Sequence, residues 1–306
     1  MAEAGPLSIG MCAYAACMLD VLSFKPGNVH LELGLNPTPA TNFLLSAAAI
    51  APVMEEAPLR PIGQTILDSI RATRSVTNEN TNLGIVLLLA PLASVPPNRD
   101  IRGGVMRALI RLSVDDACNA YKAIRLAKPG GLGAVNEQDV SQEPTVTLRE
   151  AMALAADYDM VAKQYINDFE EAFEGAELLA KYLDAGTEVE SAVTRTFLQL
   201  LSKYPDSLIE RKFGSDAAQR VTLKAKEIAQ ANYDMWEIHV FDAWLRRGCP
   251  ERFRPTEQWD YSPPTVPGAP NPGTTADLVT ASLFVALRRG IIQLPLPRPQ
   301  SESSAG

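Results

Sequence analysis

The chain has 306 residues, of which 46% are hydrophobic, and a formal net charge of −8, which is typical of a soluble globular protein. The acidic balance argues against a nucleic-acid binder, which needs excess positive charge. Four cysteines and two histidines form no C-x-x-C pair or zinc-type spacing, so we expect a cytoplasmic protein without a disulfide framework. The longest apolar runs, 43–54 and 83–95, are too short for a bilayer and contain prolines, so we expect no membrane partner.

Helical periodicity recurs along the chain between loops rich in proline and glycine. The expected helices are 8–23, 42–56, 62–75, 85–93, 101–112, 114–127, 147–181, 188–203, 207–212, 215–246 with a break near Tyr233, and a last helix that Gly290 ends. Threonines are natural N-caps, so we expect Thr38 or Thr41 to begin the second helix and Thr274 or Thr275 the last.

No alternating run of β-branched residues is long enough to predict a sheet. The sequence therefore predicts an all-α fold, a single multi-helix globular bundle with a pocket built from loops. We expect one helical domain over residues 1–290 and a flexible tail rich in proline and serine over 291–306.

Four loops hold most of the unusual polar residues, and each adjoins an apolar helix. They are Lys25–His30, Thr77–Gly84, Lys128–Asp139 and Asn271–Asp277. Loops from distant parts of a helical bundle can meet at one end, and their glycines allow close approach of backbone to a ligand. Lysines, carboxylates and helix N-termini in one pocket would suit a polyphosphate with a divalent cation. The alternative is that these polar residues only cap helices or lie in solvated turns.

Short motifs in these loops and in one further segment carry a resemblance to a known family. They are Lys25-Pro26-Gly27, Asn80-Thr81 with Gly84, Pro205-Asp206 before Arg211-Lys212-Phe213-Gly214, and Asn271-Pro272-Gly273 with Ala276-Asp277-Leu278. In this order they resemble the triphosphoribosyl-dephospho-CoA synthase family, over about residues 14–287. The chain looks like a divergent member of that family, whose members are all-helical.

The resemblance implies an enzyme, an ATP-dependent transferase. In the family reaction a ribose hydroxyl of 3′-dephospho-CoA displaces adenine from C1′ of ATP, which yields the triphosphoribosyl precursor of a prosthetic group. Displacement at an anomeric carbon develops oxocarbenium-like charge. The implied partners are ATP and dephospho-CoA or a related small molecule, with Mg²⁺ expected alongside ATP. Whether the chain forms a homo-oligomer is left open.

The resemblance also implies roles for individual residues, each with a structural alternative. Asp277 would bind metal or act as the base, or else only compensate the helix dipole. Asn80 would take part in catalysis and Thr81 would bind ribose or phosphate, or else both cap a helix. The further residues expected to bind substrate are Lys25, Gly27, Gly84, Arg211, Lys212, Asn271 and Gly273. For Lys25 the alternative is a surface lysine, and for the Arg211-Lys212 pair a solvated turn.

Two departures from the family pattern keep other functions open. Better-known members follow Asn-Thr with His-Lys, where this chain has Asn82-Leu83, and Asn28-Val29-His30 replaces an apolar residue and an aspartate. One alternative is therefore a sibling enzyme in the biosynthesis of a one-carbon carrier cofactor of the pterin or furan type. The other is a non-catalytic nucleotide-binding helical protein.

Overall fold

A computed structural model describes residues 6–31, 38–129, 138–251 and 266–296. Within those ranges the chain forms fourteen α-helices and no β-sheet, which confirms the predicted all-α fold. The helices are α1 (Ile9–Leu22), α2 (Ala40–Glu55), α3 (Ile62–Val76), α4 (Leu83–Ala93), α5 (Ile101–Ile110), α6 (Val114–Ala127), α7 (Leu148–Ala153), α8 (Met160–Gln164), α9 (Glu170–Asp184), α10 (Val189–Lys203), α11 (Ser207–Phe213), α12 (Ser215–Gln230), α13 (Met235–Arg246) and α14 (Gly273–Arg288). None of them combines the length and apolar character needed to cross a bilayer.

Helix α14 lies at the centre of the bundle. Nearly all of its side chains are buried, and it packs against α1, α4, α9 and α10. Helix α4 is apolar on every side and is buried along almost its whole length, as expected for a helix without a polar face. The two helices contact each other directly. The start of α4 and the start of α14 are therefore fixed by the same core.

A proline inside α4 is compensated by a tyrosine that directly follows α8. Pro91 has no backbone N–H, so the carbonyl of Leu87 loses the donor that an uninterrupted helix would supply. The buried hydroxyl of Tyr165 donates to that carbonyl at 2.7 Å. A side-chain hydrogen bond thus replaces the missing backbone bond, and α4 continues past the proline.

Most predicted helix boundaries are confirmed, and one long helix is not. Helix α6 has the predicted bounds, and the predicted break near Tyr233 separates α12 from α13 where that residue has a φ of 58°. The continuous helix predicted over 147–181 is wrong, because the segment forms α7, α8 and α9. Asp168 and Phe169 adopt positive φ values of 59° and 65° directly before α9, and this backbone conformation interrupts a helix.

The predicted threonine cap of α2 is also wrong. The N-cap is Pro39, which makes no side-chain capping bond, and neither Thr38 nor Thr41 occupies that position. An N-cap residue has an extended backbone, and the fixed φ of proline is compatible with that conformation. Pro39 can therefore occupy the N-cap position although it has no hydroxyl.

The start of the predicted flexible tail packs on the core. Helix α14 ends at Arg288, and Gly290 follows it with a φ of 71°, as expected for a residue that stops a helix. Ile292 is only 3% exposed and belongs to the main hydrophobic core. Residues 291–296 are therefore part of the folded body, and residues 297–306 lie outside the described ranges.

Candidate functional site

The N-terminus of α14 is bound to α11 through one buried carboxylate. Asp206 Oδ2 accepts hydrogen bonds from the N–H and the hydroxyl of Thr275, both at 2.8 Å. Its Oδ1 accepts from the N–H groups of Leu208 and Ile209 at 3.0 Å and so caps α11. The predicted N-cap role of Thr274 or Thr275 is wrong: Pro272 precedes the helix, and the Thr275 hydroxyl bonds Asp206 instead.

The carboxylate of Asp277 lies directly against the start of α4. A Cβ atom added to Gly84 would meet Asp277 Oδ2 at 2.0 Å and Cγ at 2.7 Å, so only a glycine leaves room for this carboxylate. Gly84 is in the first turn of α4, where backbone N–H groups lack intrahelical partners and the dipole favours negative charge. Asp277 lies beyond the first turn of its own helix, so compensation of its own helix dipole does not account for it.

Several carboxylates surround Asp277 and change its acidity. Burial raises the pKa of Asp277 well above the usual range of a carboxyl, and the charges of Asp20, Asp206 and Asp159 raise it further, whereas Arg211 opposes them. In this setting a carboxyl takes up a proton more readily than a free one does. A cation beside it favours the ionised form instead. We call the set Asp20, Gly84, Asp206, Thr275 and Asp277 the α14 cluster.

Lys25 lies at the base of this cluster with its ammonium group fully buried. Its Nζ is 3.3 Å from Asp20 Oδ1 and donates to the carbonyl of Asp20 and, at 3.3 Å, to that of Ser23. Burial lowers the pKa of Lys25, and the facing Asp20 carboxylate opposes that shift. The predicted phosphate contact of Lys25 stays a prediction, because in this structure the ammonium group is directed at protein oxygens.

The Lys25–His30 loop contacts the segment that leads into α14. The side-chain amide of Asn28 donates to Asn271 Oδ1 at 2.8 Å, and a Cβ on Gly27 would meet Pro272 Cδ at 3.2 Å. The predicted residues Gly27, Asn271 and Gly273 are therefore neighbours, although some 240 residues separate the first from the others. Gly273 itself opens α14 and packs against Leu208 of α11.

Asn80 and Thr81 lie beside the start of α4 and make structural contacts. Asn80 is exposed, and its Oδ1 accepts from the N–H of Leu83 at 3.2 Å, which is a capping bond. The Thr81 hydroxyl lies 2.6 Å from the hydroxyl of Ser46. Asn82, where the family pattern differs, is buried and bonds Thr73 through both ends of its amide. The alternative of helix capping therefore holds for Asn80 and not for Thr81, whose hydroxyl bonds Ser46, and the roles of both residues toward substrate stay predictions.

The basic pair at the end of α11 divides into one paired and one unpaired cation. Arg211 Nη1 is 3.3 Å from Asp159 Oδ2, and the other oxygen of Asp159 caps α8. Lys212 is exposed and has no ion-pair partner in the described parts of the chain. Lys212 is therefore a cation of this region that is available to an anionic ligand.

Three of the four predicted loops converge here, and the fourth is only partly described. Lys128 ends α6 in the left-handed conformation, and most of the Lys128–Asp139 loop, residues 130–137, lies outside the described ranges. Sequence reasoning missed Asp20 and Asp206 as members of the site. A signal existed for both, since Asp20 interrupts an apolar helix and Asp206 directly precedes the basic pair.

Cavities alone would suggest a different place. The α14 cluster adjoins a narrow crevice that Asp206, Thr274 and Thr275 help to line. An open groove of about 220 Å³ lies between α12 and α13, lined by residues such as Phe241 and Trp244. That groove contains none of the motif residues. We place the candidate site at the α14 cluster because separate motifs and a strongly perturbed carboxyl meet there.

The predicted metal site rests on Asp277, so the donors around that carboxylate decide whether a metal ion fits there. No group of three His, Cys, Asp or Glu side chains in the described residues is arranged to hold a metal ion. Magnesium needs no such group, because it is held by one or two carboxylates together with substrate phosphates and water. Asp277 fits this use, since a cation beside it would relieve the repulsion from the neighbouring carboxylates.

The structure defines an all-helical protein with a candidate site at the α14 cluster, and comparison with known proteins supplies the family and its activity. A sequence profile described as "CitG: ATP:dephospho-CoA triphosphoribosyl transferase" matches residues 6–249. The chain therefore belongs to the ATP:dephospho-CoA triphosphoribosyl transferase family. As a member of this family, the protein transfers the triphosphoribosyl group of ATP to 3′-dephospho-CoA. No curated protein matched the chain significantly.

A crystal structure supports the same assignment. It is that of an Archaeoglobus fulgidus protein provisionally identified as a triphosphoribosyl-dephospho-CoA synthase. The two share 27% sequence identity and a TM-score of 0.61, over 81% of this chain and 99% of that one. The motif over 271–277 lies beyond the residues that the profile matches. Helix α14, which carries the end of that motif, nevertheless packs on α1, α4 and α11, and these three helices lie within the matched residues.

Proposed function

We propose that the α14 cluster is where the triphosphoribosyl group passes from ATP to 3′-dephospho-CoA. The observation that carries this proposal is the position of Asp277, whose carboxylate lies against Gly84 at the start of α4 and among other carboxylates. Carboxylates stabilise the positive charge that develops at an anomeric carbon. The site also lies where α14 and α4 both begin, and helix N-termini favour anions.

In the reaction, the bond between C1′ of ATP and the adenine nitrogen breaks, and a bond from C1′ to the acceptor hydroxyl forms. The hydroxyl loses a proton and the departing adenine gains one, so the net reaction consumes no other reactant. Asp277 is our candidate for accepting the hydroxyl proton. Burial and the neighbouring carboxylates raise the pKa of Asp277, and a carboxylate with a raised pKa is a stronger proton acceptor than an ordinary one.

The triphosphate requires positive charge that the cluster itself lacks. Lys212 is available for this purpose, and Arg211 lies close enough to Asp277 for their charges to interact. Mg²⁺, held by Asp277 and the phosphates, would neutralise much of the remaining charge. Binding of such a cation also favours the ionised form of Asp277.

The test is release of adenine from ATP when dephospho-CoA and Mg²⁺ are supplied, measured by chromatography. We expect the wild type to release adenine only with both substrates. The rate of adenine release should fall at least about 100-fold in Asp277→Asn, which is the usual range for an acid–base group. Asp216→Asn, an exposed aspartate in the first turn of α12, is the matched control and should retain activity. Absence of adenine with the wild type, or full activity of Asp277→Asn, would refute the proposal.

A further inference from the structure

A fully buried ion pair on α13 lies outside every motif of the sequence. Arg246 Nε donates to both carboxylate oxygens of Asp242 at 2.9 Å, and the two residues are 1% and 4% exposed. Removing two charges from water is costly, and a buried pair is often no better for stability than apolar residues of the same size. Such a pair therefore calls for an explanation beyond the stability of its own helix.

Both members of the pair bind the loop that carries the Lys-Pro-Gly motif. Asp242 Oδ1 accepts from the N–H of Gly27 at 2.7 Å, and Arg246 Nη2 donates to the carbonyl of Asn28 at 2.6 Å. Gly27 has a φ of 73°, and a Cβ there would meet Leu245 Cδ1 at 2.8 Å. The loop thus lies directly on α13 and is held at two consecutive residues.

The same loop is bound to the start of α14. The side chain of Asn28, whose carbonyl Arg246 holds, donates to Asn271 Oδ1 at 2.8 Å. The backbone carbonyl of Arg246 also accepts from the N–H of Val266, in the segment that returns toward α14. A continuous set of hydrogen bonds therefore runs from α13 through residues 27–28 to the residue that precedes the N-cap of α14.

We propose that Asp242 and Arg246 are positioning residues for the transferase reaction. They fix the position of the Lys25–His30 loop relative to the start of α14. Because Asp277 lies on α14, they thereby also fix its position relative to α4. The inference rests on the proposed function of the α14 cluster. Neither side chain contacts substrate in this account, because both are buried and directed at backbone groups of the loop.

The test compares Asp242→Asn with Asp116→Asn, a matched control. Asp116 is also a buried carboxylate that accepts a glycine N–H at 2.7 Å, in this case from Gly63, and it lies on α6 away from the cluster. We expect both variants to lose thermal stability. Only Asp242→Asn should lower kcat for adenine release, by about 10- to 100-fold, because a misplacement near 1 Å has an effect of that order. Its KM for dephospho-CoA should change much less.

A second variant covers the case in which Asp242→Asn does not fold. Arg246→Lys keeps the charge but not the geometry that bonds both oxygens of Asp242, so it should show the same fall in kcat at a smaller loss of stability. The proposal is overturned if kcat in both variants stays within twofold of the Asp116→Asn control. It is also overturned if the control loses kcat equally.

A readout independent of activity separates this proposal from the proposed function. Hydrogen exchange followed by mass spectrometry should show faster exchange over residues 25–29 and 271–276 in Asp242→Asn, but not in Asp116→Asn. If the wild type releases no adenine and this difference is still seen, the positioning role stands and the assigned reaction fails. Unchanged exchange in both segments would refute the positioning role itself.

Discussion

Replacing Gly84 by alanine should displace the Asp277 carboxylate without unfolding the protein. The added methyl carbon would lie 2.0 Å from Asp277 Oδ2. Non-bonded carbon and oxygen atoms approach to about 3.3 Å, so the carboxylate must move by at least ~1 Å. It can do so by rotating its side chain, because the atom that is met lies at the end of Asp277 and not in the backbone.

The magnitude follows from that displacement. A shift of ~1 Å in a catalytic group can lower the rate by ~100-fold, which corresponds to ~2.7 kcal/mol of transition-state stabilisation. The loss of stability should be ~2 kcal/mol or less, since alanine gains ~1 kcal/mol over glycine in a helix and overpacking costs ~1–3 kcal/mol. Gly84→Ala should therefore be folded, with a melting temperature only several degrees below that of the wild type, and nearly inactive.

The assay is the initial rate of adenine release at saturating ATP and dephospho-CoA, with thermal unfolding measured on the same samples. Gly104→Ala is the control, because its Cβ would meet Val95 Cγ1 at 2.4 Å on a helix that lacks motif residues. That variant should lose some stability and keep its kcat. An active Gly84→Ala, with kcat within threefold of the wild type, would show that the contact between Gly84 and Asp277 has no part in catalysis.

Three further predictions concern charge at the site. Asp277→Asn should melt at a higher temperature than the wild type at pH 8, and this difference in melting temperature should close toward pH 4. The reason is that the pKa of Asp277 is raised in the folded state, so the wild type loses stability as the pH rises through that pKa. A difference that stays constant across this range would contradict the reasoning. Lys25→Met should lower the free energy of unfolding in urea by ~3–5 kcal/mol, because it leaves the Asp20 carboxylate unpaired. Adding Asp20→Asn should recover much of that lost free energy. A double variant no more stable than the single one would refute the pairing. A chelator such as EDTA should stop adenine release and excess Mg²⁺ should restore it, because the triphosphate needs a cation; an unchanged rate in the chelator would remove the metal from the proposal.

Local patterns in the sequence predicted the helices well where a helix ends for local reasons. The bounds of α6 follow from Ser113, which forms a capping box with Asp116, and from the loop that begins after Ala127. The failure over 147–181 has the opposite cause. Its apolar residues recur at helical spacing, but the positive φ values at Asp168 and Phe169 depend on how α8 and α9 pack, which no local pattern records.

The site was predictable in its parts and not in its connections. The motifs pointed to Gly84, Asp277 and Asn271, and the structure brings all three to neighbouring positions. The partners that hold the motifs were not visible, because Asp242 bonds a residue 215 positions earlier in the chain. Thr275 was predicted as a helix cap for its hydroxyl, whereas that hydroxyl bonds Asp206 of another helix.

The hydrogen bond from Tyr165 to Leu87 has a consequence for the order in which the chain can fold. It joins residues 78 positions apart, so α4 cannot complete its own hydrogen bonding until the middle of the chain has been synthesised. Closing such a long loop is slow compared with forming a helix. A nascent chain that ends before Tyr165 would already contain Lys25 and Gly84, but it would hold an unfinished α4. The part of the chain that receives Asp277 should therefore mature only after the first half of the protein has been synthesised.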